Sequence, residues 1–170
     1  DAVRAWERLG YPRRALRLHA AATAIVERHG GVVPSQYDQL RALPGIGDYT
    51  AAAVAAFAYR QRHAVLDTNV RRVLARALGG FAGAAASVTV TERARAEALL
   101  PDDGELASRF SVGLMELGAL ICRARDPLCS ACPLEAVCAW RLAGSPDNVP
   151  ARRAQNYEGT ERQARGRLLA

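Results

Sequence analysis

Four cysteines, Cys122, Cys129, Cys132 and Cys138, are the only ones in the chain, and they fall within seventeen residues as C-x6-C-x2-C-x5-C. Thiols this crowded are not scattered core side chains. They ligate something, and the chain around them must fold so as to bring them to it. A structural zinc ion, an iron–sulfur cluster and a pair of disulfides all use four such residues, although an intracellular chain would keep its thiols reduced. Soft thiolates suit zinc and iron–sulfur alike, so ligand type alone leaves those two open. The first loop of the run, Arg123 to Leu128, carries Arg123 and Arg125, which either reach phosphates or belong to a solvated loop.

With 170 residues the chain is long enough to bury a core, as one domain or as two small helical lobes. No apolar run approaches the ~20 residues needed to cross a bilayer, and the N-terminus lacks the pattern of a secretory signal. The expectation is a soluble, monomeric cytoplasmic protein with no membrane partner. A formal charge of +6 favours a polyanionic partner, since basic side chains that meet phosphates release condensed counterions. All 23 basic residues are arginine. No side-chain amine is therefore present to form a Schiff base with a sugar aldehyde.

Apolar residues recur at helical spacing almost throughout, which predicts an all-α fold with only Ala64-Val65-Leu66 extended. The opening residues read as the middle of a helix with Trp6 and Leu9 on one face, so the chain is expected to be a fragment. From Pro12 to His29, the residues Leu16, Leu18, Ala22, Ile25 and Val26 predict a buried stripe, ended by Gly30-Gly31. Ser35 is expected to cap a short helix to Ala42. Further helices are expected from about Asp48 to Tyr59, from Thr68 to Leu78, over Thr91–Leu100 and over Glu105–Leu120. Residues 1–100 read as one helical lobe, 101–142 as a cysteine lobe, and 143–170 as a linker, free from Ala143 to Tyr157, with the start of another helix near Leu168.

Leu43-Pro44-Gly45-Ile46-Gly47 is a tight turn between helices in which two glycines leave amides pointing outward, an arrangement suited to phosphate. Beyond it comes Val65-Leu66-Asp67-Thr68-Asn69-Val70-Arg71-Arg72-Val73-Leu74. By itself, Asp67 reads as a helix cap.

These segments together resemble the iron–sulfur DNA glycosylases of the helix-hairpin-helix superfamily, which includes endonuclease III and the adenine glycosylases. The turn matches L-P-G-[IV]-G, and Asp67 falls in a segment similar to V-D-x-N-V-x-R-V. Leu9-Gly10-Tyr11, Arg14-Ala15 and Leu18-His19 look like L-G-Y-x-x-R-A-x-x-L-H, and Met115-Glu116-Leu117-Gly118-Ala119 like M-[DE]-L-G-A. The cysteine run resembles that family's cluster motif. The resemblance implies a partial six-helix barrel lobe beside a [4Fe–4S] cluster lobe, with Cys122, Cys129, Cys132 and Cys138 as ligands. It implies Asp67 as the catalytic carboxylate, Asn69 positioning sugar or water, and Tyr49 lining the same site and interacting with Asp67. Leu43, Pro44, Gly45, Ile46, Gly47, Arg71, Arg72, Arg123 and Arg125 are the expected DNA contacts, with Arg71 or Arg72 favouring the charged form of Asp67.

Where lyase-active relatives place a lysine, this chain has Tyr49, so the implied reaction is monofunctional. The expected substrate is adenine mispaired with 8-oxoguanine or guanine in double-stranded DNA, released by hydrolysis of its N-glycosidic bond. The family's general-acid glutamate lies on a helix upstream of Asp1, and Glu7 and Glu27 sit in the wrong motifs to replace it, so the fragment alone is expected to be weak or inactive. Three rival readings remain: a thymine- or uracil-mismatch glycosylase, a DNA-binding iron–sulfur module without catalysis, and a zinc-stabilised helical adaptor that shares only the hairpin.

Overall fold

The computed structural model describes residues 2–7, 9–150, 158–160 and 163, and these are helical with no strand among them. The first helix, α1 (Ala2–Ala5), is a single turn. It stops because Glu7 takes φ 47°, and the Trp6 indole then donates to the Gly10 carbonyl at 2.8 Å. Trp6 and Leu9 therefore do not share a helical face, and Leu9 is exposed.

Helix α2 (Arg13–His29) ends at Gly30 and Gly31 as expected, both with positive φ. Its buried face differs from the expected one. Ala15, Ala21 and Ala24 are buried and Ile25 is half-buried, whereas Leu16, Leu18 and Val26 are 56%, 60% and 65% exposed and Ala22 is exposed too. Size explains the difference. The second half of α2 packs on Leu40, Leu43, Ala51 and Ala55, and alanine faces let these elements approach more closely than leucine would. Helix α3 (Tyr37–Arg41) follows with Gln36, not Ser35, at its N-cap and no side-chain capping bond.

Helix α4 (Asp48–Ala53) continues as a π-helical turn, Val54–Ala58, and buries Ala51, Ala52, Ala55 and Ala56. Ala64, Val65 and Leu66 are buried without regular structure, Val65 lying on Ala52 and Ala56. Helix α5 (Thr68–Ala77) then places Val70 and Leu74 in a cluster with Ala64, Leu66, Ala96, Leu100 and Ala107. Helix α6 (Val90–Ala98) is capped by the Thr89 hydroxyl, and α7 (Gly104–Glu116) by the Asp103 carboxylate. The core thus joins residues on both sides of Leu100.

Two close contacts seat α7. A methyl group at Gly104 would lie 1.9 Å from the Arg60 carbonyl oxygen, and one at Gly118 would lie 2.7 Å from Asn69 Cβ. Beyond Glu116 the helix widens into a second π turn, Leu117–Ile121, and the cysteine segment follows with α8 (Ala139–Leu142).

The stretch expected to leave the body as a free linker is held down over its first part. Trp140 Nε1 donates to Pro146 O at 2.8 Å, and the Asn148 side chain pairs with Gly80 O and Ala82 N. Asn148 imitates a backbone amide there, a pairing that composition alone does not reveal. Residues 151–157 and the helix expected near Leu168 lie outside the described residues. No described helix is long and apolar enough to cross a membrane.

Candidate functional site

The buried Ala64–Leu66 segment delivers Asp67 to the start of α5, where the backbone is extended and the carboxylate caps the helix. Val70 N donates to Asp67 Oδ1 at 2.7 Å, and Asn69 Nδ2 donates to Oδ2 at 3.1 Å. Both oxygens are thus fixed by donors, one from the backbone and one from a side chain. The plain-cap reading of Asp67 is geometrically correct and is not opposed to a second role. A partly buried carboxyl held by two donors is fixed in orientation while some of its surface still reaches solvent.

Arg71 and Arg72, adjacent in sequence, diverge by about a hundred degrees around the helix. Arg71 turns away from Asp67 and grips both Glu92 oxygens at 2.6 and 2.9 Å, together with the carbonyls of Ala85 and Ser87. Arg72 donates to Asn69 Oδ1 at 2.9 Å, Gly118 O at 2.5 Å and Cys122 O at 2.7 Å. Burial pushes the Arg72 guanidinium below the usual arginine value, while the nearby charges of Cys122 and Asp67 pull the other way. Both guanidinia are spent inside the fold. Their surroundings therefore favour a positioning role over the phosphate contacts expected of them, and Arg72 reaches Asp67 by way of Asn69.

Arg76, one turn after Arg72 on the same face, was not singled out from sequence, although the i, i+4 spacing carried the signal. It is 5% exposed. It donates to Cys122 Sγ at 3.4 Å and to the carbonyls of Ala82, Arg123 and Ala124, and it stacks 4.7 Å from the Trp140 ring centroid. No carboxylate pairs with it among the described residues.

All four cysteines are free and line one pocket with Arg76, Trp140, Glu135 and Arg141. Burial pushes the Cys129 thiol up, and the other three cysteines push it the same way, with Arg141 opposing. A buried guanidinium beside four thiols suits a group that brings negative charge. Among the described residues, no three His, Cys, Asp or Glu side chains converge as they would on a single metal ion. Four free thiols around one pocket are a donor set that suits a zinc ion and a polynuclear iron–sulfur group alike.

In the hairpin, Leu43 is buried while Gly45, Gly47 and Tyr49 are exposed. Gly45 takes φ 77°, and Ile46 N closes the turn on Leu43 O at 3.2 Å. The amides of Gly45 and Gly47 have no partner among the described residues. Asp48 is bound by Arg41, by Arg93 Nη2 at 3.1 Å and by the Tyr37 hydroxyl at 3.3 Å. Tyr49, 45% exposed, makes no hydrogen bond to Asp67. Arg123 is exposed and folds back onto Asp126 O, and Arg125 is exposed.

A helix-hairpin-helix motif model matches residues 28–57. The chain is 58% identical over 170 residues to the adenine DNA glycosylase of Mycobacterium tuberculosis (strain ATCC 25618 / H37Rv), covering 99% of this chain and 55% of that protein. It is 36% identical over 129 residues to the thymine-DNA glycosylase of Aeropyrum pernix, covering 75% of this chain and 58% of that one. A solved non-covalent endonuclease III–DNA complex superposes with a TM-score of 0.70 at 26% identity, covering 84% of this chain and 65% of that chain. The chain spans about half the length of the curated relatives it matches. Similar along nearly its whole length to an adenine DNA glycosylase, matched by the helix-hairpin-helix motif and sharing the fold of an endonuclease III, the chain belongs to the helix-hairpin-helix DNA glycosylase family.

Proposed function

We propose that this chain carries the excision site of a monofunctional adenine DNA glycosylase that removes adenine opposite guanine or 8-oxoguanine in double-stranded DNA. The observation that carries the reading is the Asp67 carboxylate, partly buried and oriented by Val70 N and Asn69 Nδ2. The base must leave the stack before its glycosidic bond is accessible. As that bond breaks, its electron pair leaves with the base and positive charge develops at C1′. Asp67 stabilises that charge electrostatically, much as carboxylates do in glycoside hydrolysis. A water oxygen then bonds to C1′, and its proton is lost as the base gains one. Asn69 holds Asp67 in place, and Tyr49 lines the approach. With no lysine in the chain, no side-chain amine attacks the sugar. The base-protonating acid is assigned to neither Glu7 nor Glu27. The hairpin amides, Arg123 and Arg125 are the proposed DNA contacts. Cys122, Cys129, Cys132 and Cys138 would hold a [4Fe–4S] cluster, which when bound staples this lobe and supplies a redox-active centre.

The match to a thymine-DNA glycosylase keeps a second reading in view, excision of mispaired thymine. Single-turnover assays of the full-length protein on duplexes with adenine opposite 8-oxoguanine and with thymine opposite guanine separate the two. We expect adenine release, seen as strand cleavage only after alkali, and a loss of at least about a hundredfold in Asp67→Asn. Asparagine caps helices as well as aspartate does, so this variant removes the charge and keeps the cap. Thymine release would favour the second reading; activity surviving Asp67→Asn would remove Asp67 from the chemistry.

A further inference from the structure

Resting on that reading, we propose that Arg17, on α2, supplies the cation of the hairpin's phosphate contact, a role that no residue within the hairpin can fill. Positive φ at Gly45 leaves the face of the turn bare, and Arg17 lies across it. A methyl group at Gly45 would meet Arg17 Cβ at 2.6 Å and both Cγ and Cδ at 2.9 Å. Three carbons of the stem thus rest on the turn, and the guanidinium begins one bond beyond the last of them. Arg17 is exposed and has no hydrogen bond or ion pair among the described residues.

The charges around the turn leave few alternatives. Residues 43 to 49 contain no cation and one anion, Asp48. The two other arginines nearby, Arg41 and Arg93, already hold Asp48 from two sides. A DNA phosphate placed on the free Gly45 and Gly47 amides would meet one uncommitted guanidinium, whose planar fork suits two phosphate oxygens. The small size of residue 45 then has a second purpose besides the turn: it makes room for the arginine stem.

The test is the salt dependence of duplex binding, followed by fluorescence anisotropy with the full-length protein in an Asp67→Asn background and a labelled A·G-mispaired duplex. We expect Arg17→Gln, which keeps much of the stem, to weaken binding several-fold and to lower the slope of log K against log salt by about one unit. Arg17→Lys should retain the slope. Arg41→Gln and Arg93→Gln should lower it less, because those charges are committed to Asp48. An unchanged slope and affinity in Arg17→Gln, with wild-type binding intact, would overturn the proposal. So would an equal loss in Arg17→Lys, since packing rather than charge would then be responsible. Absence of salt-dependent duplex binding in the Asp67→Asn parent and in the wild-type protein would instead sink the DNA-acting reading itself.

Discussion

At the scale of single residues, short-range pattern and long-range contact had different legibility. The four cysteines lie close together and spacing alone marks them, whereas Asp67 by itself reads as a helix cap and its pairing with Asn69 as a site comes only from the resemblance. Arg17 and Gly45 meet only because α2 folds back over the hairpin, and nothing in either neighbourhood announces it. Asp48 is a similar case, joining α3, α4 and α6 through Arg41 and Arg93. The hydrogen bond from Arg41, helped by the charges of Arg41 and Arg93, holds the Asp48 carboxyl below the usual carboxylate range against the opposing effect of burial. A carboxyl depressed in the folded state adds stability that is present above its unfolded value, about pH 4, and is lost as pH falls through the folded one. The residue is half-exposed, so the effect is small. Melting curves across the acid range should show a shallower decline for Asp48→Asn than for the parent protein; parallel declines would mean that the pairing contributes nothing in solution.

At the scale of elements, the positions of the long helices followed from period and punctuation, but their inner geometry did not. The helices expected over Asp48–Tyr59 and Glu105–Leu120 both exist and both widen into a π turn at the C-terminal end. Hydrogen-bond register of this kind is set by what the helix packs against. At Gly118 that neighbour is Asn69, whose carbonyl oxygen would lie 2.8 Å from an added methyl. The glycine of the Met115–Ala119 motif is therefore a contact surface for the Asp67–Asn69 segment. Gly118→Ala should cost about 1–3 kcal/mol of stability as an overpacked contact. It should also depress single-turnover excision beyond what lost stability explains, because the displaced residue holds Asp67. Chemical denaturation paired with that assay decides the matter, and a stable, fully active variant would refute it. The buried face of α2 was misjudged for a related reason, since apolar residues cover more than one of its faces and the close approach of α3 and α4 selected the alanines.

At the scale of the whole molecule, α5 is the part that joins the candidate excision site to the cysteine pocket. Its first turn carries Asp67, its second carries Arg72, and its last inserts Arg76 beneath Trp140. Replacing Arg76 with methionine leaves three carbonyls without their donor and Cys122 Sγ without its hydrogen bond. On the proposed iron–sulfur reading, the purified Arg76→Met protein should hold less iron per chain and melt earlier, with Arg76→Lys intermediate. Full iron content and an unchanged melting point would show that the guanidinium is dispensable. Arg72 has a different kind of consequence. One planar group satisfies Asn69 on one side and the Gly118 and Cys122 carbonyls on the other, a division of labour beyond a lysine's single ammonium. In genetic terms, a missense change in that codon would behave as two lesions inherited together, one in the chemistry and one in the scaffold, and no suppressor confined to either side could restore both.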